Sequence, residues 1–317
     1  MLSLIIPVYK NEESIPDLIL ALNILNNTFK SDFEIVFVVD GSPDRSYEIL
    51  SNVLPKQIFR SQLILLSKNF GSFLAIRTGL QFAKGDFFTV MAADLQEPPD
   101  LIIRINEALR SEELDVVVAA RENRNDPYFS KLFAQMYWWF YRKYVIPEIP
   151  AGGVDMFGCN KVFRDTLLTL DERHSSLIGQ IFWLGFRRKT ILYSRQVRVY
   201  GKSAWAFSKK INYLMDSIFS FTDLPIRILI RVGSVGALLS LLLSVVVLFA
   251  RLRGYIEVPG YTMTILIITF LGCLNLLGLG IVGSYAWRTY ENTKNRPLAI
   301  PMRINVFEKK GFIDECS

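Results

Sequence analysis

Asp94 and Gln96 stand two residues apart in the segment Asp94-Leu95-Gln96-Glu97-Pro98-Pro99, directly after the apolar run 87–92. That run reads as a buried strand, and the prolines stop it. Side chains two apart at a strand end point the same way. An acid and an amide so placed offer two hard oxygen ligands to a divalent cation that keeps waters and binds phosphates. The same residues also suit an ordinary helix start, with Asp94 as a cap before the segment 100–110.

Either role needs a scaffold. Strand-like runs fall at residues 2–6, 33–39, 62–66, 87–92 and 115–119, and helical patterns near 14–25, 46–53, 71–83 and 100–110. Repeated strand–helix–strand units predict an α/β fold with a mostly parallel sheet and helices on both faces. Such sheets bind ligands at the C-terminal ends of their strands. Tyr9-Lys10-Asn11-Glu12, Asp40-Gly41-Ser42, Lys68-Asn69-Phe70-Gly71, Asp94 with Gln96, and Arg121 all fall there, from separate loops.

Hydrophobic residues make up 51% of the 317, and the excess lies toward the C-terminal end. Residues 227–250 and 262–287 are each long enough to cross a ~30 Å hydrocarbon layer, which predicts a hairpin over 224–287. A buried core helix is the alternative for either run. Basic residues crowd both flanks, from Arg195 to Arg231 before the hairpin and from Arg288 to Lys310 after it, which predicts that the large N-terminal part and the tail 288–317 both face the cytoplasm. Arg251 and Arg253 in the connector run against this. Segments 128–145 and 207–223 carry aromatic and basic residues and are expected at the membrane interface. Gly236, Ser240 and Ser244, and Gly280 with Ser284, are spaced for close helix contact or recur by chance in a small-residue composition.

The formal net charge is +6, with no basic recognition helix or RNA-binding signature, so no nucleic-acid partner is expected. Cys159, Cys273 and Cys316 show neither a disulfide framework nor metal spacing. Run 2–8 reads as a strand rather than a signal peptide. His174 reads as a solvated or capping residue. No dinucleotide fingerprint is present.

The chain resembles the polyprenyl-phosphate glycosyltransferases of the dolichol-phosphate mannose synthase type, within the inverting family 2 with the GT-A fold. It is also similar to the bacterial members that load glucose or related sugars onto undecaprenyl phosphate. The resemblance rests on Ile6-Pro7-Val8-Tyr9-Lys10-Asn11-Glu12, Val39-Asp40-Gly41-Ser42-Pro43-Asp44, Ser67-Lys68-Asn69-Phe70-Gly71, Ala93-Asp94-Leu95-Gln96-Glu97-Pro98-Pro99 and Gly201-Lys202-Ser203-Ala204-Trp205. It covers nearly the whole chain, hairpin included.

The resemblance implies a cytoplasmic GT-A domain over 1–206, an interfacial helix over 207–223, the hairpin and a cytoplasmic tail, held in a bacterial inner membrane. It implies that Pro7, Tyr9, Glu12 and Ala93 line the nucleotide pocket, with Asp40 reading the base. Asp94 and Gln96 would hold Mg²⁺ or Mn²⁺ on the diphosphate, Arg121 would neutralise phosphate, and Asp155 would stand near the acceptor. Lys202 and Ser203 would close over the phosphates. The implied partners are a nucleotide-sugar, taken as a UDP-sugar, a polyprenyl phosphate, the bilayer and further copies of the chain in a tetramer. Relatives often carry an acid where this chain has Ala92, and a base where it has Ala204.

A lipid monophosphate is largely dianionic at neutral pH because its second pKa is about 6. It can attack an anomeric carbon with little help from a base, so Asp155 is expected to position rather than deprotonate. Charge on the departing nucleoside diphosphate is the larger demand. Arg187, Arg188, Lys209 and Lys210 are candidates to attract the acceptor phosphate, with lipid headgroups as the alternative partner of the two lysines. A catalytically silent, membrane-anchored nucleotide-binding or scaffold protein is the competing reading, and a transporter the third.

Overall fold

The computed structural model describes residues 1–29, 32–122, 139, 141–150, 153–173, 175–195, 207–253 and 261–308. The segment 201–205, His174, most of 128–140 and the last nine residues lie outside it.

Four parallel strands form first: β1 (Leu2–Val8), β2 (Phe33–Val39), β3 (Arg60–Leu66) and β4 (Phe87–Val90). They are joined by α1 (Ile15–Phe29), α2 (Ser46–Val53) and α3 (Ser72–Phe82). All seven residues of β2 are buried, as expected where helices cover both faces of a parallel sheet. The faces divide with period two: Leu4 and Ile6 pack with α1, α2 and α4 (Asp100–Ser111), while Ile5 packs with α3.

After α4 the sheet turns mixed. β5 (Val116–Arg121) pairs antiparallel with β6 (Met156–Asn160), which also pairs antiparallel with β4. Then come α5 (Lys161–Leu168), α6 (Leu177–Trp183) and β7 (Arg188–Tyr193), parallel to β5. The order is β7-β5-β6-β4-β1-β2-β3-β8. The α/β, mostly parallel architecture expected from the sequence is present, with eight strands where five were expected.

The last strand is β8 (Pro301–Phe307), within the stretch read as a tail. It pairs antiparallel with β3, and Asn305 donates to the Tyr47 hydroxyl at 3.3 Å. It closes an edge that would otherwise present unpaired backbone groups.

Between β7 and β8 the chain leaves the sheet as α7 (Phe207–Phe221), α8 (Leu224–Leu252) and α9 (Tyr261–Thr293). Both long helices are where the hydropathy placed them. Leu238, Leu242 and Phe249 of α8, and Phe270, Leu276 and Leu279 of α9, are exposed. Among the described residues, Phe270–Thr293 is long and apolar enough to cross a membrane by length and composition.

Two expectations of interfacial placement change in part. Ile218, with Leu214 and Phe221 of α7, packs into the protein core. Tyr141 is fully buried with Val145, Ile146 and Ile149, while Trp139 and Tyr144 stay exposed beside Lys143. Apolar residues that face a protein core at helical spacing give the same pattern as residues that face lipid.

Candidate active site

Pro7, Tyr9, Glu12, Asp40, Ala93, Asp94, Gln96, Arg121 and Asp155 lie at the C-terminal edge of the parallel strands, whereas Arg187 and Arg188 stand at the start of β7, at the opposite edge. β4 ends at Val90, earlier than the apolar run suggested, and residues 91–99 form an irregular loop. Leu95 has φ +54°, so Asp94 and Gln96 are related by a turn rather than by strand alternation. The Gln96 N–H donates to Asp94 Oδ1 at 3.4 Å. The residue preceding α4 is Pro99, so Asp94 does not cap that helix. That removes the structural alternative raised for it.

The loop is fastened at its start. Ser14 Oγ donates to the Ala93 carbonyl at 2.9 Å, which ties it to the corner after β1. Ala93 is 2% exposed, so its contribution to a pocket is backbone shape. At that corner the Tyr9 N–H donates to Asn11 Oδ1 at 3.0 Å, and Lys10, at φ +57°, donates its N–H to Ser42 Oγ at 2.8 Å. Asp44 gathers the corner. It accepts from the Ser42 and Ser46 hydroxyls and from the N–H groups of Glu12 and Ser46. Burial pushes its carboxyl up, but these donors outweigh it and hold Asp44 below the usual carboxylate range. Glu12 accepts from the Arg45 N–H at 3.1 Å. Pro7 is half-buried at the end of β1.

Asp40, 2% exposed, accepts from the N–H groups of Phe70 at 2.7 Å and Gly71 at 2.9 Å. Its carboxylate therefore braces the loop 68–71. Gly41 makes that approach feasible. It has φ +55°, and a Cβ there would lie 2.3 Å from the Lys68 carbonyl carbon.

Across the loop lies an acidic cluster with its own counter-charges. Arg121, at the end of β5, donates from Nε to Asp155 Oδ2 at 2.6 Å and from its terminal nitrogen to Oδ1 at 2.7 Å. Tyr193, at the end of β7, donates to the same carboxylate at 2.9 Å. The Arg121 charge is thus paired with Asp155. Burial opposes the Arg121 charge, but the bonds to Asp155 outweigh it and raise its pKa. Burial, then the neighbouring Asp155 charge, pushes Tyr193 up.

Glu97 is 2% exposed. Burial, then the charge of Asp94, pushes its pKa up to about 7, against the pull of Arg195. Arg195 donates to Gln96 Oε1 and lies 3.8 Å from Glu97.

Glu97, Tyr193 and Arg195 were not singled out as site residues. The only signal in the sequence was that Glu97 belongs to the motif and Arg195 to a basic flank. Lys202 and Ser203 lie outside the described residues. Arg187 pairs with Asp115 at 3.0 Å and Arg188 with Glu148, so neither is a free phosphate attractor. Cys159 is fully buried and serves packing.

Asp94 and Gln96 supply hard oxygens of the kind a divalent cation takes alongside substrate phosphates. Among the described residues, no group of three His, Cys, Asp or Glu side chains could enclose a cation. The donor set fits a cation shared with a ligand, not a closed protein cage.

The profile of glycosyl transferase family 2 matches residues 3–169, more than half of the chain and all of the strands that carry these residues up to β6. The chain belongs to glycosyl transferase family 2. It is an enzyme of glycosyl transfer. An uncharacterized glycosyltransferase of Synechocystis sp. is 32% identical over 300 residues, 94% of this chain and 93% of that one. The undecaprenyl-phosphate 4-deoxy-4-formamido-L-arabinose transferase of Aeromonas hydrophila is 31% identical over 309 residues, 94% of this chain and 91% of that one. Among solved structures, the glucosyl-3-phosphoglycerate synthase of Mycobacterium tuberculosis, in complex with Mn²⁺, UDP-glucose and phosphoglyceric acid, aligns with TM-score 0.44 at 15% identity. That alignment covers 63% of this chain and 72% of the other.

Proposed function

We propose that this glycosyltransferase moves a sugar from a nucleotide-sugar, a UDP-sugar in our reading, onto undecaprenyl or another polyprenyl phosphate at a membrane surface. The likeness to relatives named for undecaprenyl-phosphate sugar transfer, sustained over nine-tenths of both chains, carries the acceptor. The exposed apolar helices α8 and α9 support a membrane-held acceptor, since contiguous exposed apolar surface marks a membrane or protein partner. In this reading both helices span a bacterial plasma membrane, and the sheet faces the cytoplasm. Trp287, Tyr290 and Lys294, stacked at the end of α9, sit at headgroup level.

A phosphate oxygen of the lipid attacks the anomeric carbon as the bond to the nucleoside diphosphate breaks, in one displacement that inverts the centre. The acceptor oxygen is already ionised, so no proton must be removed. The corner built by Tyr9, Glu12 and Asp44, together with Asp40, holds the nucleotide. Arg121 and Tyr193 fix the Asp155 carboxylate in one orientation, from which it positions the sugar or acceptor. Asp94 and Gln96 would hold Mg²⁺ or Mn²⁺, which would supply charge stabilisation for the departing diphosphate. Lys202 and Ser203 are proposed to cover the phosphates.

The test is incubation of detergent-solubilised protein with undecaprenyl phosphate, Mn²⁺ or Mg²⁺, and a panel of UDP- and GDP-sugars, with lipids read by mass spectrometry. One added glycosyl mass, absent with EDTA and in Asp155→Asn, is expected. Nucleotide binding with no lipid product from any donor would overturn the reading in favour of a silent binding protein, for which Ala92 is the one residue that argues.

A further inference from the structure

A cleft of about 570 Å³ runs between α3 and the stretch of chain that leads from the end of α9 into β8. The turn after α5 closes one side, and none of its lining residues belongs to the candidate active site. Three guanidinium groups line it, those of Arg77, Arg173 and Arg296. Arg77 is 8% exposed and donates to the Leu167 and Leu168 carbonyls at 2.9 and 2.6 Å and to Asp171 at 2.9 Å. Those bonds fix the group in place and still leave part of its donor fork unused. Arg173 donates to the Pro297 carbonyl at 3.1 Å.

The charges in the cleft do not balance. Its acids are Asp171, paired with Arg77, and Glu291, paired with Lys294. Arg173 and Arg296 are then in surplus. Both are close enough to Glu291 to interact with its charge, so the two converge on one end of the cleft. Like charges gathered in this way repel, and an anion shared between them relieves the repulsion. Guanidinium groups are the side chains best shaped to take a phosphate.

The place of the cleft says which phosphate. It opens at Glu291 and Asn292, about one helical turn past Trp287 on α9. Trp287 and Tyr290 stack there on Lys294, the pattern of a helix end at headgroup level. Leu74, Phe82, Leu168 and Leu298 add apolar wall that is only partly buried. A small free anion would leave that wall unused, whereas the glycerol backbone of a lipid would cover it.

We propose that this cleft binds the phosphate headgroup of an anionic membrane lipid, with Arg173 and Arg296 as its cationic contacts and Arg77 as its fixed wall. Basic pockets beside the cytoplasmic ends of membrane helices take such headgroups. The inference rests on the reading above that the end of α9 lies at headgroup level. A lipid so held bridges α3 of the sheet to the segment between α9 and β8, and so sets the height of the sheet above the bilayer.

The test titrates the full-length, detergent-solubilised protein with dioctanoyl phosphatidylglycerol and reads retained lipid by native mass spectrometry. Dioctanoyl phosphatidylcholine and glycerophosphoglycerol, the same headgroup without acyl chains, are the comparison ligands. Phosphatidylglycerol should bind tightest. Arg296→Gln and Arg173→Gln should each weaken it about fivefold, the scale of one basic residue near a lipid surface. Arg296→Gln guards against misfolding, since the side chain is exposed, and its melting temperature should match wild type. Arg60→Gln, exposed at the start of β3 and outside the cleft, should leave the affinity unchanged. Wild-type affinity in both cleft variants overturns the inference, as does an equal loss in Arg60→Gln. Glycerophosphoglycerol or phosphatidylcholine binding as tightly as phosphatidylglycerol overturns it too. Sugar transfer is assayed separately: product formation with unchanged lipid affinity in the variants removes this site alone, and lipid binding at the cleft with no product from any donor removes the proposed reaction alone.

Discussion

At the scale of single residues, the site is a set of charges held by one another. The Arg121–Asp155 pair has the short, bidentate geometry that makes charge-assisted bonds strong. Asp155→Asn keeps the shape and removes the charge. It should lower turnover by about a hundredfold or more, the usual result of misplacing a positioned group, with nucleotide affinity little changed by calorimetry. Asp94→Ala should abolish Mn²⁺ binding and turnover together while the circular dichroism spectrum stays native; normal turnover would sink its role.

Asp44 makes a different kind of prediction, about folding. Its pKa is depressed in the folded protein, so the stability it contributes is present above its unfolded value of about 3.9 and is lost as pH falls through the folded value. Asp44→Asn should therefore cost about 1–3 kcal/mol near neutrality, the range for hydrogen bonds to a charged group. The gap between the two melting temperatures should shrink below about pH 4. A gap that stays constant with pH would show that the carboxylate charge does not matter there.

At the scale of elements, the parallel strands were plain because each is a continuous apolar run flanked by helical periodicity, as in residues 33–39. β7 was hidden because it begins Arg188-Lys189-Thr190, none of them buried, and only Ile191 and Tyr193 after them face the core. β6 was hidden because Gly158 interrupts its short apolar run and Asn160 ends it. β8 did carry a period-two signal, Met302-Arg303-Ile304-Asn305-Val306, but its place after an apolar hairpin suggested a tail. The candidate site divides in the same way. Asp94, Gln96, Asp155 and Arg121 were visible from motifs, whereas Arg195 meets Gln96 across 99 residues, a pairing that only the closed sheet creates.

Two element-level outcomes follow. Ending the chain at residue 299 should uncover β3 and produce a lower melting temperature and aggregation by light scattering, as unprotected edges do. At α6, a Cβ on Gly179 would lie 2.2 Å from the Phe221 ring of α7. Gly179→Ala should therefore push α7 off the sheet domain and cost about 1–3 kcal/mol, as overpacking does. An unchanged melting temperature would mean that the ring moves aside freely.

At the scale of the whole molecule, the sheet and the long helices are tied at several points. Arg288 of α9 pairs with Asp216 of α7 at 2.8 Å, and Tyr285 donates to the Thr222 carbonyl at 3.3 Å. Arg173, before α6, donates to the Pro297 carbonyl at 3.1 Å, beyond the end of α9. In the proposed membrane setting, Leu276→Arg at the exposed face of α9 should disfavour insertion by about 2.5–3.5 kcal/mol on the translocon scale. The check is the fraction of protein that resists carbonate extraction, and full retention would argue against lipid contact at that face.

The return of the chain to β3 sets a parity rule. The strand before the helical excursion, β7, and the strand after it, β8, belong to one sheet, and one sheet lies on one side of a bilayer. The excursion between them must then cross an even number of times. If α9 crosses a bilayer, a second segment between β7 and β8 must cross back, and among the described residues α8 is the other helix long enough to do so.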